Sequence, residues 1–448
     1  MSEIVATPSL ALKKTIRLFA FCAIVLGGLS LAISGYFTED VMTRAENAAK
    51  ANLQILWDSY QHYYIEVNGR VVRPDQNFDT VSEGQAYAML RAVWQNDRST
   101  FDRVYSWTED NLSRLGTHYN DHLLAWHFQV DSLGNAAVAD VNSAIDADLD
   151  YALALFLAAR LWSDGKAPGG HMPYREKAVA VTDSIMSKAV LTHPNGELVL
   201  LPWPQSDRTN LGEDIGQLEI NPSYFSPGHY RVFNYETQNQ SWGKLVEDTY
   251  RQLSRIMNYE VESPDSARVV PDWIMMNPNG SFSLHKEKGM VSGWEAFRTW
   301  WRLRVDYDFS GNPAARAFIE KYLPAFLRKS MEGSGGEVAA ASDLNGNPTV
   351  EYTNSGMTGT YSWVLRDFEP SLSRTMQRQA YRGLRHEQVG REEYMYFNTT
   401  WDGYYTNSWA WLCMTEGTSS FPYGRLYNFH QGSTGAASSA NLASAEGK

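Results

Sequence analysis

NSAIDADLDYALALFLAARLW, residues 142–162, opens with three carboxylates and then runs apolar on every side from Leu149 to Ala158. A helix without a polar face is buried all round, so this one belongs to an inner layer with other helices outside it. Outward from it, apolar residues recur mostly at three and four positions and few stretches alternate with period two, which predicts an all-α fold. The spacing predicts helices over 41–64, 83–96, 99–114, 144–162, 174–191, 227–237, 242–258, 292–305, 313–330, 356–365, 370–385 and 405–415. No internal repeat, Pro-rich linker or charge block divides this span, so residues 41–428 read as one domain. Residues 429–448, small and polar without periodicity, read as a flexible tail.

Residues 1–40 read as a cytoplasmic stub and membrane anchor. Leu18 to Thr38 carries no charge and is long enough to cross a bilayer. Lys13, Lys14 and Arg17 precede it and Glu39 and Asp40 follow, which puts the N-terminus in the cytoplasm and the bulk of the chain outside. The expectation is a single-pass inner-membrane protein with its large domain in the periplasm or beyond. Ala32-Ile33-Ser34 leaves signal-peptide cleavage as the alternative.

The chain has 448 residues, 43% hydrophobic and 20% charged, enough for a packed core. With Lys+Arg 39 against Asp+Glu 51, the net charge of −12 argues against nucleic acid as a partner. Two cysteines, Cys22 and Cys413, make no disulfide framework. Fifteen Trp and 25 Tyr supply flat rings with a polar tip, which suit the faces of sugars.

Four constellations can carry chemistry. Ser82 and Gln85 have capping-box spacing, which puts Glu83 in a first helical turn. There the macrodipole stabilises a carboxylate, so an acid role for Glu83 requires burial or a neighbouring negative charge. Asp146, Asp148 and Asp150 crowd the start of the apolar helix, where Ser143 and Asp146 satisfy the cap pattern. Asp146 and Asp150 share one face, and their repulsion exceeds what dipole compensation needs. In Trp294-Glu295-Ala296-Phe297-Arg298, Glu295 and Arg298 are spaced for an intrahelical pair among indoles. Asp272-Trp273 sets a carboxylate beside an indole, either a sugar contact or a turn. Each also has a plain structural explanation as a cap, a pair or a turn. His118 and His122 have metal-pair spacing without the glutamate of a zinc-protease helix, Gly333-Ser334-Gly335-Gly336 lacks the Lys-Ser/Thr of a phosphate loop, and no serine sits in a nucleophile elbow. No metal or cofactor is expected.

Taken together, YIEVNGRV (64–71), SEGQAYAMLRAVWQNDRSTFDRVYSWTEDNL (82–112), residues 142–162, INPSYFSPGHYRVF (220–233) and VVPDW (269–273) resemble glycoside hydrolase family 8, particularly the periplasmic endoglucanases encoded beside bacterial cellulose synthases. The resemblance is clear from about residue 57 to 305. It departs at Ile145, where Ser or Thr is usual, at Tyr151, and at Glu295, where many members carry Asp. It implies an (α/α)6 toroid that hydrolyses a β-1,4-linked polysaccharide, cellulose-like glucan first among the candidates, by inversion. By the same resemblance Glu83 matches the general acid, Asp146 the aspartate contacting the sugar at the cleavage subsite, and Glu295 the base. Tyr224, Arg298, Asp272, Trp273 and Trp294 are expected around the substrate, and polysaccharide synthase machinery is an expected partner. An added methylene at Glu295 shifts its carboxylate by about 1 Å, a displacement that can cost about a hundredfold in rate. The competing expectation is therefore a catalytically impaired toroid that binds glycan during export.

Overall fold

The computed structural model describes residues 46–436, apart from residues 132, 163–166, 208–215, 259–266, 286, 289–290, 400–402, 416–425 and 431–434. The expected membrane-crossing run lies outside the described residues, and among those no helix is long and apolar enough to cross a membrane.

Twelve helices are described: α1 (46–64), α2 (Ser82–Trp94), α3 (Arg98–Leu112), α4 (Ile145–Trp162), α5 (Tyr174–Lys188), α6 (Pro227–Thr237), α7 (Ser241–Ile256), α8 (Phe297–Ser310), α9 (Pro313–Gly333), α10 (Ser355–Leu365), α11 (Pro370–Arg382) and α12 (Gly403–Trp409). The even-numbered helices pack side to side in the order α2, α4, α6, α8, α10, α12 and back to α2. The odd-numbered helices α3 to α11 each lie outside the helix preceding them. Helix α1 covers α12, with the Tyr60 and Ser408 hydroxyls 3.1 Å apart. The result is an (α/α)6 toroid. Its inner staves are apolar because they meet protein on every side: α4 is buried without interruption from Ile145 to Ala158. At Gly228 a Cβ would come within 2.9 Å of the Asp306 backbone, so glycine sets how closely α6 approaches α8.

Connections from an inner helix to its outer partner are mostly tight, as at 95–97, 238–240, 311–312 and 366–369. Those from an outer helix to the next inner one are long and all emerge where the inner helices begin. One end of the toroid is therefore built of extended loops, the usual seat of function.

These loops, and the segment after the last helix, carry short antiparallel strands that the all-α expectation did not contain. They are β1 (Thr80–Val81), β2 (His127–Val130) and β3 (Ala136–Asp140) in one sheet, β4 (Val190–Thr192) with β5 (Leu198–Leu200), β6 (Leu218–Ile220), β7 (Ile274–Met276) and β8 (Phe282–Leu284) in a second sheet of three, β9 (Leu384–Val389) with β10 (Glu392–Phe397), and β11 (Tyr427–Asn428) with β12 (Gly435–Ala436). Most are too short for a period of two to register in the sequence.

Three local expectations are corrected. Val81, not Ser82, precedes α2, and no side chain caps it; Gln85 instead accepts from the Val71 amide at 2.6 Å and donates to the Thr108 hydroxyl at 2.8 Å. Ser143 and Asp146 do not form a cap pair, because Ser143 donates to Asp148 and Asp146 turns to the toroid axis. Helix α8 starts at Phe297 rather than 292, because Asp272 Oδ1 accepts from the Gly293 and Ala296 amides, both at 2.8 Å, and holds Trp294 and Glu295 in a turn. Phe429, the first residue of the expected tail, is packed: its amide donates to the Phe309 carbonyl, and its ring lies 5.9 Å from Tyr235.

Candidate active site

Residues four apart lie on one helix face, so each inner stave can present a vertical pair of side chains to the axis. Helix α2 contributes Glu83 above Tyr87, α4 Asp146 above Asp150, and α8 Arg298 above Arg302. In the upper tier, Arg298 Nη1 donates to Glu83 Oε2 at 2.7 Å, to Asp146 Oδ2 at 2.8 Å and to the Tyr87 hydroxyl at 3.1 Å. Its Nη2 donates to Glu295 and, at 3.2 Å, to the Ser223 hydroxyl. In the lower tier, Arg302 pairs with both oxygens of Asp150, and His229 Nε2 lies 2.8 Å from Asp150 Oδ1. The carboxylate crowding noted at the start of α4 thus resolves into two ion-paired tiers.

A cation in the first turn of α8 opposes the macrodipole. Arg298 is nevertheless only 1% exposed, because Glu83 from α2 and Asp146 from α4 join the local Glu295 around it. Three negative charges around one guanidinium leave the upper tier with excess charge in a poorly solvated place, which favours retention of a proton. The Glu83 carboxyl is pushed up to about 8, mainly by burial, with Asp146 and Glu295 adding to the shift and Arg298 and Arg73 opposing it. Asp146 is raised by burial, against the pull of Arg298. Below them, burial alone would raise Asp150, but Arg302 and His229 together hold it below the usual range. A carboxyl that keeps its proton near neutrality therefore sits beside two others that share its guanidinium.

Glu295 is anchored by Arg298 and by Asn221 Nδ2 at 3.0 Å, and keeps 33% of its side chain exposed. Glu83 keeps 22%. Because they occupy the two terminal nitrogens of one guanidinium, their bound oxygens are at most about 7 Å apart. The Tyr405 hydroxyl donates to the Trp294 carbonyl at 2.9 Å and fixes that turn from α12.

Beside this cluster, between the loops before α4, α6 and α8, lies a cleft of ≈ 340 Å³ walled by Trp126, Trp203, Tyr224 and Trp273. The Trp203 and Trp273 rings are 5.8 Å apart, and Tyr224 is 6.3 Å from Trp273 and 5.7 Å from the Arg298 guanidinium. Asp207 secures the cleft floor: it accepts from the Ser143 amide at 2.7 Å and is gripped by Arg114, which is fully buried.

The structure brings Glu83, Asp146, Glu295, Arg298 and Tyr224 together and places Trp273 along the adjoining cleft. Trp294 packs on Tyr405 at 5.9 Å. Asp272 is turned to backbone amides, where it shapes the Glu295 turn. Sequence reasoning did not single out Asn221, Ser223, Tyr87, Tyr405 or the Asp150–His229–Arg302 tier. The spacing of Arg298 and Arg302, which repeats that of Asp146 and Asp150, was a legible signal for the lower tier.

The family model of glycosyl hydrolases family 8 matches residues 32–400. Endoglucanase A of Acetivibrio thermocellus is 26% identical over 384 residues, covering 84% of this chain and 71% of that protein. An endoglucanase of Salmonella typhi is 29% identical over 294 residues, covering 65% of this chain and 72% of that protein. The crystal structure of an endo-1,4-D-glucanase from Vibrio fischeri ES114 superposes with a TM-score of 0.62 at 22% identity, over 83% of this chain and 95% of that one.

Proposed function

The chain belongs to glycosyl hydrolases family 8 and is a glycosidase of endoglucanase type; from that premise we propose that it cleaves a β-1,4-linked glucan internally by an inverting acid/base mechanism. Glu83 donates its proton to the glycosidic oxygen as the bond to the anomeric carbon breaks. Glu295 takes a proton from the water that attacks that carbon on the opposite face. Asp146, held by Arg298, contacts the sugar at the cleavage point, and the aromatic cleft holds the neighbouring units. The observation that carries this is the single guanidinium of Arg298, which gathers Glu83, Asp146 and Glu295 at one point beside the aromatic cleft, and the anomer of the fresh product decides between inversion and retention. A glycan-holding toroid without activity is not favoured, since all three carboxylates keep their places around Arg298.

The test uses a soluble cellulose derivative. Viscosity should fall ahead of the release of reducing ends, and NMR of fresh product should show the anomer inverted. Retained configuration, or binding without products, would overturn the mechanism or the activity respectively. For location, the proposal is that the charge-free run from Leu18 to Thr38 anchors the enzyme in the inner membrane, with the toroid outside the cytoplasm and beside a polysaccharide synthase. Protease added to spheroplasts should then digest the toroid, and protection of the toroid refutes the topology.

A further inference from the structure

Beyond the cleft, on the far side of Trp126, the surface opens into a second basin of ≈ 650 Å³ lined by Gln76, Phe78, Asp79, His127, Gln129 and Asp131. The two hollows share a wall: the Trp126 indole faces the cleft and stacks at 4.7 Å and 26° on the His127 ring, which faces the basin. At the rim stands Phe78, 58% exposed.

The backbone of Phe78 is held in the left-handed region, at φ 55°, directly after Asn77 at φ 56°. That conformation is uncommon for any side chain and an outlier for a bulky one, and it persists only where surroundings impose it. They do so here. The Phe78 amide donates to the Arg73 carbonyl at 3.1 Å, and its carbonyl accepts from the Arg70 guanidinium. The next residue, Asp79, is clamped by Arg73 at 2.7 and 2.6 Å and by His127 at 2.9 Å. These fastenings tie the segment to β2, and among them the Phe78 ring is held out in water, where it buries little apolar surface.

We infer that Phe78 is the platform of a distal glycan subsite, which takes the strand of neutral β-glucan leaving the cleft past Trp126. This rests on the function proposed above and extends it. An aromatic face flanked by amides and carboxylates suits a sugar ring, whose C–H face stacks while its hydroxyls bond to Gln76, Gln129 and Asp131. The charge of Asp79 is taken up by Arg73, with His127 hydrogen-bonded to the same carboxylate, and Asp131 adds a negative one, so the basin offers no spare cation to an anionic polymer.

The experiment measures kcat and KM of the full-length enzyme and of Phe78→Ala, Phe78→Gly and Phe78→Trp on hydroxyethylcellulose and on cellotetraose. Glycine suits the left-handed backbone, so Phe78→Gly keeps or improves the fold and isolates the loss of the ring. The Ala and Gly variants should raise KM for the polymer about three- to tenfold, the scale of one aromatic contact, with kcat unchanged. Their kcat/KM on cellotetraose should equal that of the wild type, and Phe78→Trp should restore the polymer KM. Unchanged polymer KM in the Gly variant of an active enzyme overturns the subsite alone, as does an equal loss on the tetrasaccharide. A wild-type enzyme that cleaves neither substrate overturns the function it rests on, and the subsite with it.

Discussion

Replacing Glu83 with Gln should make the protein more stable and nearly inactive at once. The folded-state value of about 8, against 4.5 for a free glutamate, means that the folded protein binds this proton more tightly than the unfolded chain does. Stability therefore falls as pH rises from about 4.5 to about 8 and is flat beyond, because the ionised form is the one that burial penalises. At pH 7 the penalty comes to about 3 kcal/mol at 1.36 kcal/mol per unit, before allowance for solvent reaching the group. With 22% of the side chain exposed, about 1–3 kcal/mol should be measured. Glutamine keeps the size and an acceptor for Arg298 Nη1 but carries no titrating proton. Urea unfolding at pH 5, 7 and 8.5 should show the variant level with wild type at pH 5 and ahead at the two higher values. Turnover should drop by about two to four orders of magnitude, the usual contribution of a positioned acid. A stability gap that does not widen with pH refutes the electrostatic argument, and near-normal turnover in the folded variant removes Glu83 from the chemistry.

Glu295→Gln should abolish turnover while leaving the fold intact, whereas Glu295→Asp, which shortens the arm to what many relatives carry, should retain or raise it; equal activity of Glu295→Gln and wild type sends the search for a base elsewhere. Arg298→Met strips Asp146 and Glu295 of their shared cation and Glu83 of its donor, and should cost about 3–5 kcal/mol at neutral pH. Thermal unfolding should show that deficit shrinking as the pH falls toward 5, since protonation neutralises the stranded carboxyls. Trp273→Ala should raise KM for polymer about tenfold or less with little change in kcat, the mark of lost stacking rather than lost chemistry; a fall in kcat alone contradicts that role.

The staves of the toroid were legible because helix formation is governed by neighbours three and four residues away, and burial on all sides of residues 149–158 names an inner helix without any partner being known. Glu83 and Asp146 were legible through their motifs, and Glu295 through an imperfect one. Ring closure was legible only through the family resemblance and not from periodicity, since it depends on α12 meeting α2 across more than three hundred residues of chain. Nor was the protonation of Glu83: at a helix start the local field favours the carboxylate, and burial, reinforced by Asp146 and Glu295, reverses that preference. Arg298 read locally as half of an i, i+3 pair, and tertiary packing made it the hub of four elements by bringing α2, α4 and the Ser223 turn to its two free faces. The short strands and the Phe78 rim belong to loops whose conformations are set by side chains distant in sequence, such as the His127 grip on Asp79. Periodicity governs what a segment becomes; the charge state of a group depends on what the rest of the chain packs around it.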